Sequence, residues 1–150
     1  MKIIIKKFNQ LTPQELYKII KLRVEEFIVD QNCIYQDLDD MDYYTYHHFI
    51  EHNDEILVYN RIFNKGINFK EASFGRFVSN KKYRGKGYGK RLLEETIYFI
   101  ENELKENKIK IMAEAHAINF YKKFGFVEDG EHFLNTGILH VNMIYTSKNK

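Results

Sequence analysis

The amino-acid sequence predicts a mixed α/β fold, a mixed sheet flanked by helices. Helix-like and strand-like segments alternate along the chain, the pattern that layers helices against a sheet. Its 150 residues suit one domain, since domains usually run to roughly 100–200 residues. Hydrophobic residues make up 44% of the chain, enough for a packed core and too many for a disordered polymer. We therefore expect one domain over residues 1–150, with a frayed lysine-rich tail after about residue 146.

Taken in order, residues 3–5 and Phe8 read as a short first strand. Thr12-Pro13-Gln14-Glu15 opens a helix, with Thr as N-cap, Pro in the first turn and Glu three residues after the Thr. Leu16, Ile19, Ile20, Arg23 and Phe27 carry it at helical spacing to about Val29. Residues 31–42 form a polar connection with Asp37, Asp39, Asp40 and Asp42, read as a solvated loop in preference to an acidic mouth for a cation. Arg23, alone on an apolar helix face, pairs with a buried acid or meets substrate. Strands follow at 48–51, 56–63 and 72–79, with a turn at 64–66. Leu92, Leu93, Thr96, Ile97, Ile100 and Leu104 mark one face of a helix over 88–106. A strand at 108–113, a short helix at 116–124 stopped by Gly125, and a hairpin of 126–133 with 139–145 complete the chain.

Composition removes several functions. Net charge is +2, from 23 basic and 21 acidic residues, which predicts neither a nucleic-acid nor a membrane partner. With no leader-like opening, no long apolar run and a single cysteine, Cys33, the expected location is the cytoplasm. Cys33 is expected to be a buried, inert thiol. The Asp run lacks the Gly and Glu of a calcium loop, and His47, His48 and His52 lack zinc-like spacing, so no metal is expected.

The informative segment is Ser79-Asn80-Lys81-Lys82-Tyr83-Arg84-Gly85-Lys86-Gly87-Tyr88-Gly89, between a strand and a long helix. A helix N-terminus offers unpaired N–H groups and a positive dipole end, both favourable to an anion. Glycines let the backbone approach a phosphate closely, and Lys86, Lys90 and Arg84 add charge. The spacing matches neither a Walker loop nor a dinucleotide-binding fingerprint. The residues alone leave two readings, a basic helix cap or a diphosphate site, and the clustered charge favours the second.

This segment resembles motif A of the GNAT acyltransferases, Arg/Gln-x-x-Gly-x-Gly/Ala, through Arg84, Gly87 and Gly89. Ala117 through Tyr121 to Gly125-Phe126 resembles the end of motif B, Ala-x-x-x-Tyr-x-x-x-Gly-Phe. Leu22-Arg23 to Phe27, Asp30 to Asp37, Asp39, Gly75-Arg76 and Ala115-His116 resemble the ElaA-like acetyltransferases. The resemblance implies the GNAT acyl-CoA N-acyltransferase fold, a central mixed, mostly antiparallel sheet flanked by helices. It implies that acetyl-CoA is the co-substrate. Its diphosphate would sit on Arg84, Gly85, Lys86, Gly87, Tyr88, Gly89 and Lys90, its pantetheine arm along Phe77, Val78 and Ser79, with Asn119 nearby. Many members carry Asn where this chain has Glu114, and Val where it has Ser79.

What the resemblance further implies is direct attack of an amine on the thioester. Tyr121 is then the expected general acid toward the coenzyme's sulfur, against the alternative of an ordinary packing aromatic. Glu114, His116 or a water chain could take the amine's proton. The expected acceptor is a small-molecule or peptide amine, and the expected assembly a monomer or homodimer. A non-catalytic acyl-CoA-binding module, or a nucleotide-binding regulator, would carry the same loop.

Overall fold

A computed structural model describes residues 1–148. Strands β1 (Lys2–Lys7), β2 (Tyr46–His52), β3 (Glu55–Phe63) and β4 (Ser73–Ser79) form an antiparallel sheet in that order. A second antiparallel sheet centres on β8 (Ile138–Thr146), which pairs with β5 (Lys108–Glu114), β6 (Val127–Glu128) and β7 (Phe133–Asn135). Helices α1 (Pro13–Val24), α2 (Tyr88–Asn102) and α3 (Ile118–Lys122) connect them.

Local chemistry sets the boundaries. The Thr12 hydroxyl accepts from the Glu15 N–H at 3.1 Å, and the Glu15 carboxylate accepts from the Thr12 N–H at 2.8 Å, a complete capping box. After Val24 the helix loosens into a π-helical turn, Glu25–Asp30. The hairpin expected at the C-terminal end closes on Thr136-Gly137, both at positive φ (52° and 79°), the backbone of a tight two-residue turn. Its first arm is not the continuous strand expected over 126–133. It is β6 and β7 separated by an irregular stretch: the ladder runs on to Asp129, whose N–H donates to the Asn142 carbonyl, and β7 resumes it with the register against β8 moved by two residues. The expected helix at 116–124 begins as a 3-10 turn, Ala115–Ala117, ahead of α3. Of the tail expected to fray, Ser147 is buried and donates its N–H to the Asn107 carbonyl at 2.7 Å; residues 149–150 lie outside the described residues.

Both faces of the first sheet are covered. Ile19 and Leu22 of α1 pack on Phe49, Ile56, Tyr59 and Val78. On the opposite face Leu92 of α2 meets Ile50 and Val58, while Leu93, Ile97 and Ile100 meet Ile62, Phe74, Ile109 and Met143. A strand covered on both sides is buried throughout, and from Ile56 to Phe63 every residue of β3 is.

Three of the four aspartates, Asp37, Asp39 and Asp42, are ion-paired, which corrects the expectation of a solvated loop there; Asp40 is exposed as expected. Arg23, fully buried, binds Asp37 at 3.0 Å and Asp42 at 2.7 Å; Arg61 binds Asp42 at 3.0 Å and Asp39 at 2.6 Å; Arg76 binds Asp37 at 2.8 Å. The charges balance, and each guanidinium fork faces more than one carboxylate, the geometry that lets ions stay inside a protein. Burial pulls the Asp39 carboxyl upward, yet the Arg61 hydrogen bonds and charge prevail and hold it at about 2. Cys33 also departs from expectation: it is half-buried, and its thiol donates to the Thr136 carbonyl at 3.0 Å.

The histidines serve the core. His47 donates from Nε2 to the Asp42 carbonyl at 2.9 Å and accepts at Nδ1 from the Tyr59 hydroxyl at 2.8 Å. His48 and Asn60, partners in the β2–β3 register, both donate to the Thr96 hydroxyl at 3.0 Å, and that hydroxyl donates to the Leu92 carbonyl. Burial pushes the His48 imidazole down to about 4.

Two outcomes are expected. Arg23→Leu leaves Asp37 and Asp42 facing an apolar side chain, and urea unfolding is predicted to show a loss of about 3–5 kcal/mol. For His48 the folded state binds the proton less readily than the unfolded chain, whose imidazole titrates near 6.5. Its contribution is therefore present above that pH and lost as the pH falls toward 4, on the order of 3 kcal/mol in all. Stability measured across this window should fall less steeply in His48→Gln than in the unaltered chain.

Candidate active site

The two sheets touch edge to edge at β4 and β5. Ala72 and Ile109 form a parallel bridge, and the Lys110 N–H donates to the Ala72 carbonyl at 2.9 Å. No further pair of these strands joins among the described residues, so they diverge toward their C-terminal ends. The gap is a cleft of about 740 Å³, with Phe74–Ser79 along one side, Ile111, Met112 and Glu114 along the other, and Phe120 and Tyr121 between. A crevice beyond the carboxyl ends of diverging parallel strands is where α/β sheets receive ligands.

β4 is irregular where it borders the cleft. Its register against β3 moves from Val78–Tyr59 to Gly75–Arg61, one extra residue on β4, and Arg76 takes φ 51°. Such a bulge breaks the ladder and re-aims the strand.

At one end of the cleft stands the glycine-bearing loop. Asn80 accepts from the Lys82 N–H at 3.1 Å and donates to the Ile56 carbonyl at 3.2 Å, which fastens the loop to β3. Gly87 caps α2 at φ 85° with no side-chain cap, so the amides of the helix's first turn keep no internal partner. A Cβ at Gly89 would stand 3.5 Å from the Ser79 hydroxyl, so its absence keeps the strand–helix groove open. Phe77, Val78, Ser79, Arg84 and Gly89 line the cleft. Gly85, Lys86, Gly87, Tyr88 and Lys90 form the loop and helix start at its end without lining it, and Asn119 stands exposed on α3, outside the lining.

Further in, Tyr121 is buried among the rings of Phe74, Phe77, Phe120 and Phe126, with centroids 5.4–6.3 Å away. Burial first, and the charge of Glu114 second, push its hydroxyl above the ordinary phenol range, so it stays protonated at neutral pH. Glu114 closes β5. One carboxylate oxygen contacts His116 Nε2, and both accept from Gln31 Nε2 at 3.2 and 3.3 Å. Tyr121, Glu114 and His116 thus all line one cleft. Gln31 was not singled out from the sequence as a site residue, because it stands 83 positions from its partner. Glu26, Tyr35 and His140 also line the cleft, and no sequence motif marked a role for them. His140 donates from Nδ1 to the Ile138 carbonyl at 2.7 Å and stacks on Phe133.

Among the described residues, no group of three His, Cys, Asp or Glu side chains gathers as metal ligands do, and no helix is long and apolar enough to cross a membrane.

Comparison with known proteins agrees with this architecture. A family model described as an acetyltransferase (GNAT) domain matches residues 9–147. A UPF0039 protein of Synechocystis is 34% identical over 140 residues, covering 93% of this chain and 91% of that protein. Protein ElaA of Escherichia coli is 31% identical over 137 residues, 90% of each chain. The crystal structure of that ElaA superposes with a TM-score of 0.89, covering 96% of this chain and 98% of the other. An acyl-CoA N-acyltransferase from Pseudomonas aeruginosa superposes with a TM-score of 0.91 at 31% identity, over 97% of this chain and 99% of that one. The chain accordingly belongs to the GNAT acetyltransferase family and is an acyl-CoA-dependent N-acyltransferase.

Proposed function

We propose that the chain, as one domain, transfers the acetyl group of acetyl-CoA to a primary amine of a small molecule or peptide. The amine attacks the thioester directly while both substrates occupy the cleft. The observation that carries this reading is that Arg84, Gly89 of the uncapped first turn of α2, and Tyr121 line a single cleft between splayed strands.

The residues fit the coenzyme in kind. Unpartnered amides at the start of α2, with Arg84, Lys86 and Lys90 around them, suit a diphosphate. The irregular edge of β4, Phe77 to Ser79, offers backbone groups to an amide-bearing arm. The coenzyme supplies the activated thioester; the chain supplies position and proton handling. An alkylammonium with a pKa of roughly 10 must lose a proton before it attacks. Glu114, held by Gln31 and in contact with His116, is the acceptor for that proton, directly or through the imidazole. Tyr121, kept protonated by its surroundings, donates its O–H to the departing thiolate.

The decisive measurement is thiol release from acetyl-CoA with a panel of polyamines, amino acids, aminoglycosides and peptides. Turnover with one class identifies the acceptor; no turnover with any amine overturns the reading. Tyr121→Phe should lower kcat by roughly 10²-fold while the acetyl-CoA dissociation constant holds. Equal loss in both would return Tyr121 to a packing role. Gly87→Glu places a side chain at positive φ and an anion at the loop, and should weaken acetyl-CoA binding more than about tenfold. Unchanged affinity would remove the loop from the coenzyme site.

A further inference from the structure

Arg84 stands at the end of the cleft assigned above to the coenzyme's diphosphate, and the present inference rests on that assignment. Its guanidinium is already engaged. Nη2 contacts the Glu26 carboxylate and donates to the Ser79 carbonyl at 3.3 Å. Glu26, Ser79, Arg84 and Gly89 line the same cavity, and the side chains of Glu26 and Arg84 are 22% and 47% exposed.

Glu26 comes from the π-helical turn Glu25–Asp30, and a second acid of that turn, Asp30, lies 3.6 Å from Lys81 of the same loop. One helical turn therefore presents two carboxylates to two cations of the loop. Turns of this kind, rare in helices, occur frequently at functional sites.

We propose that Glu26 is a built-in counter-anion that competes with the coenzyme's diphosphate for Arg84, restrains affinity for the coenzyme, and hastens release of the CoA product. A carboxylate and a diphosphate beside one guanidinium repel each other, so the gain from either partner is reduced by the other. The neutral amides of α2 are untouched by this competition and retain the anion on their own terms. As CoA leaves, Glu26 restores the charge balance of Arg84 without waiting for a counter-ion from solvent.

The test compares binding of CoA with that of pantetheine, which lacks the diphosphate, by titration calorimetry. Glu26→Gln keeps an oxygen that can accept from Arg84 and removes only the charge, so positioning and competition are separated. It should tighten CoA roughly fivefold, leave pantetheine unchanged, and make CoA a correspondingly stronger product inhibitor. Arg84→Gln should weaken CoA by roughly tenfold, and in that background Glu26→Gln should have no further effect. Weakened or unchanged CoA binding in Glu26→Gln, with Arg84→Gln still damaging, overturns the competition alone. CoA affinity indifferent to Arg84→Gln overturns the diphosphate assignment and the competition together. Thermal melting of each variant checks that the fold is retained.

Discussion

The constraint on which the rest of this structure depends is that β4 and β5 are joined at a single parallel bridge and then part. Each strand is fully committed on its other side, β4 to β3 and β5 to β8. Beyond the bridge the bulge at Arg76 re-aims β4, and no second pair forms among the described residues. The core residues at the point of contact, Ala72, Ile109 and Phe74, hold the base of the wedge closed. The opening above it is lined by strand edges whose N–H and C=O groups have no partner across the gap, and buried backbone polar groups without partners are costly. A ligand with its own amides relieves that cost, so the same divergence that creates the space also prepares it for a ligand of that kind.

The buried charges hold one wall of that opening. Arg23 comes from α1, Arg61 from β3, and Arg76 from the bulged part of β4, while Asp37, Asp39 and Asp42 all come from the connection between α1 and β2. The ion pairs fix that long connection to the sheet at several points, and with it Tyr35, whose hydroxyl donates to Asp37 at 3.2 Å. Lysine would not substitute for these arginines, since a single ammonium cannot offer two directed faces to two carboxylates. Hydrophobic residues of similar size could give as much stability. What they could not do is present Asp39 and Arg76 at the edge of the cleft while the remainder of the network stays dry.

The legible part of this molecule was its local part. The capping box at Thr12, the amphipathic face of α2 and the glycine-bearing loop each depend on neighbours within a few residues, and each was readable as written. The aspartate run was misread for the complementary reason. Four acids within six positions look solvated unless their partners are known, and the partners of the three that are paired lie 14 to 39 residues away in the chain. A still longer separation, 83 positions, hid Gln31, whose contact with Glu114 arises only when the end of the π-helical turn reaches across to β5. The break between β6 and β7 was likewise invisible, because alternation of apolar residues does not say where a strand leaves its partner.

This division also describes how the site is built. The end assigned to the coenzyme is made of backbone: helix amides, a bulged strand and glycines whose role is to add nothing. Such a surface is specified by a short stretch of sequence and tolerates little variation, because a side chain at Gly87 would have to occupy φ 85°. The opposite end is made of side chains drawn from the connection after α1, from β4, from β5 and from the β7–β8 hairpin. Each of those can change without disturbing the others' backbone. Glu114 in place of a more usual Asn, joined to Gln31 on one side and His116 on the other, is one such change. A carboxylate there accepts only, where an amide would both donate and accept, so that wall of the cleft favours a partner that arrives with protons to give. An amine, protonated in water, is such a partner.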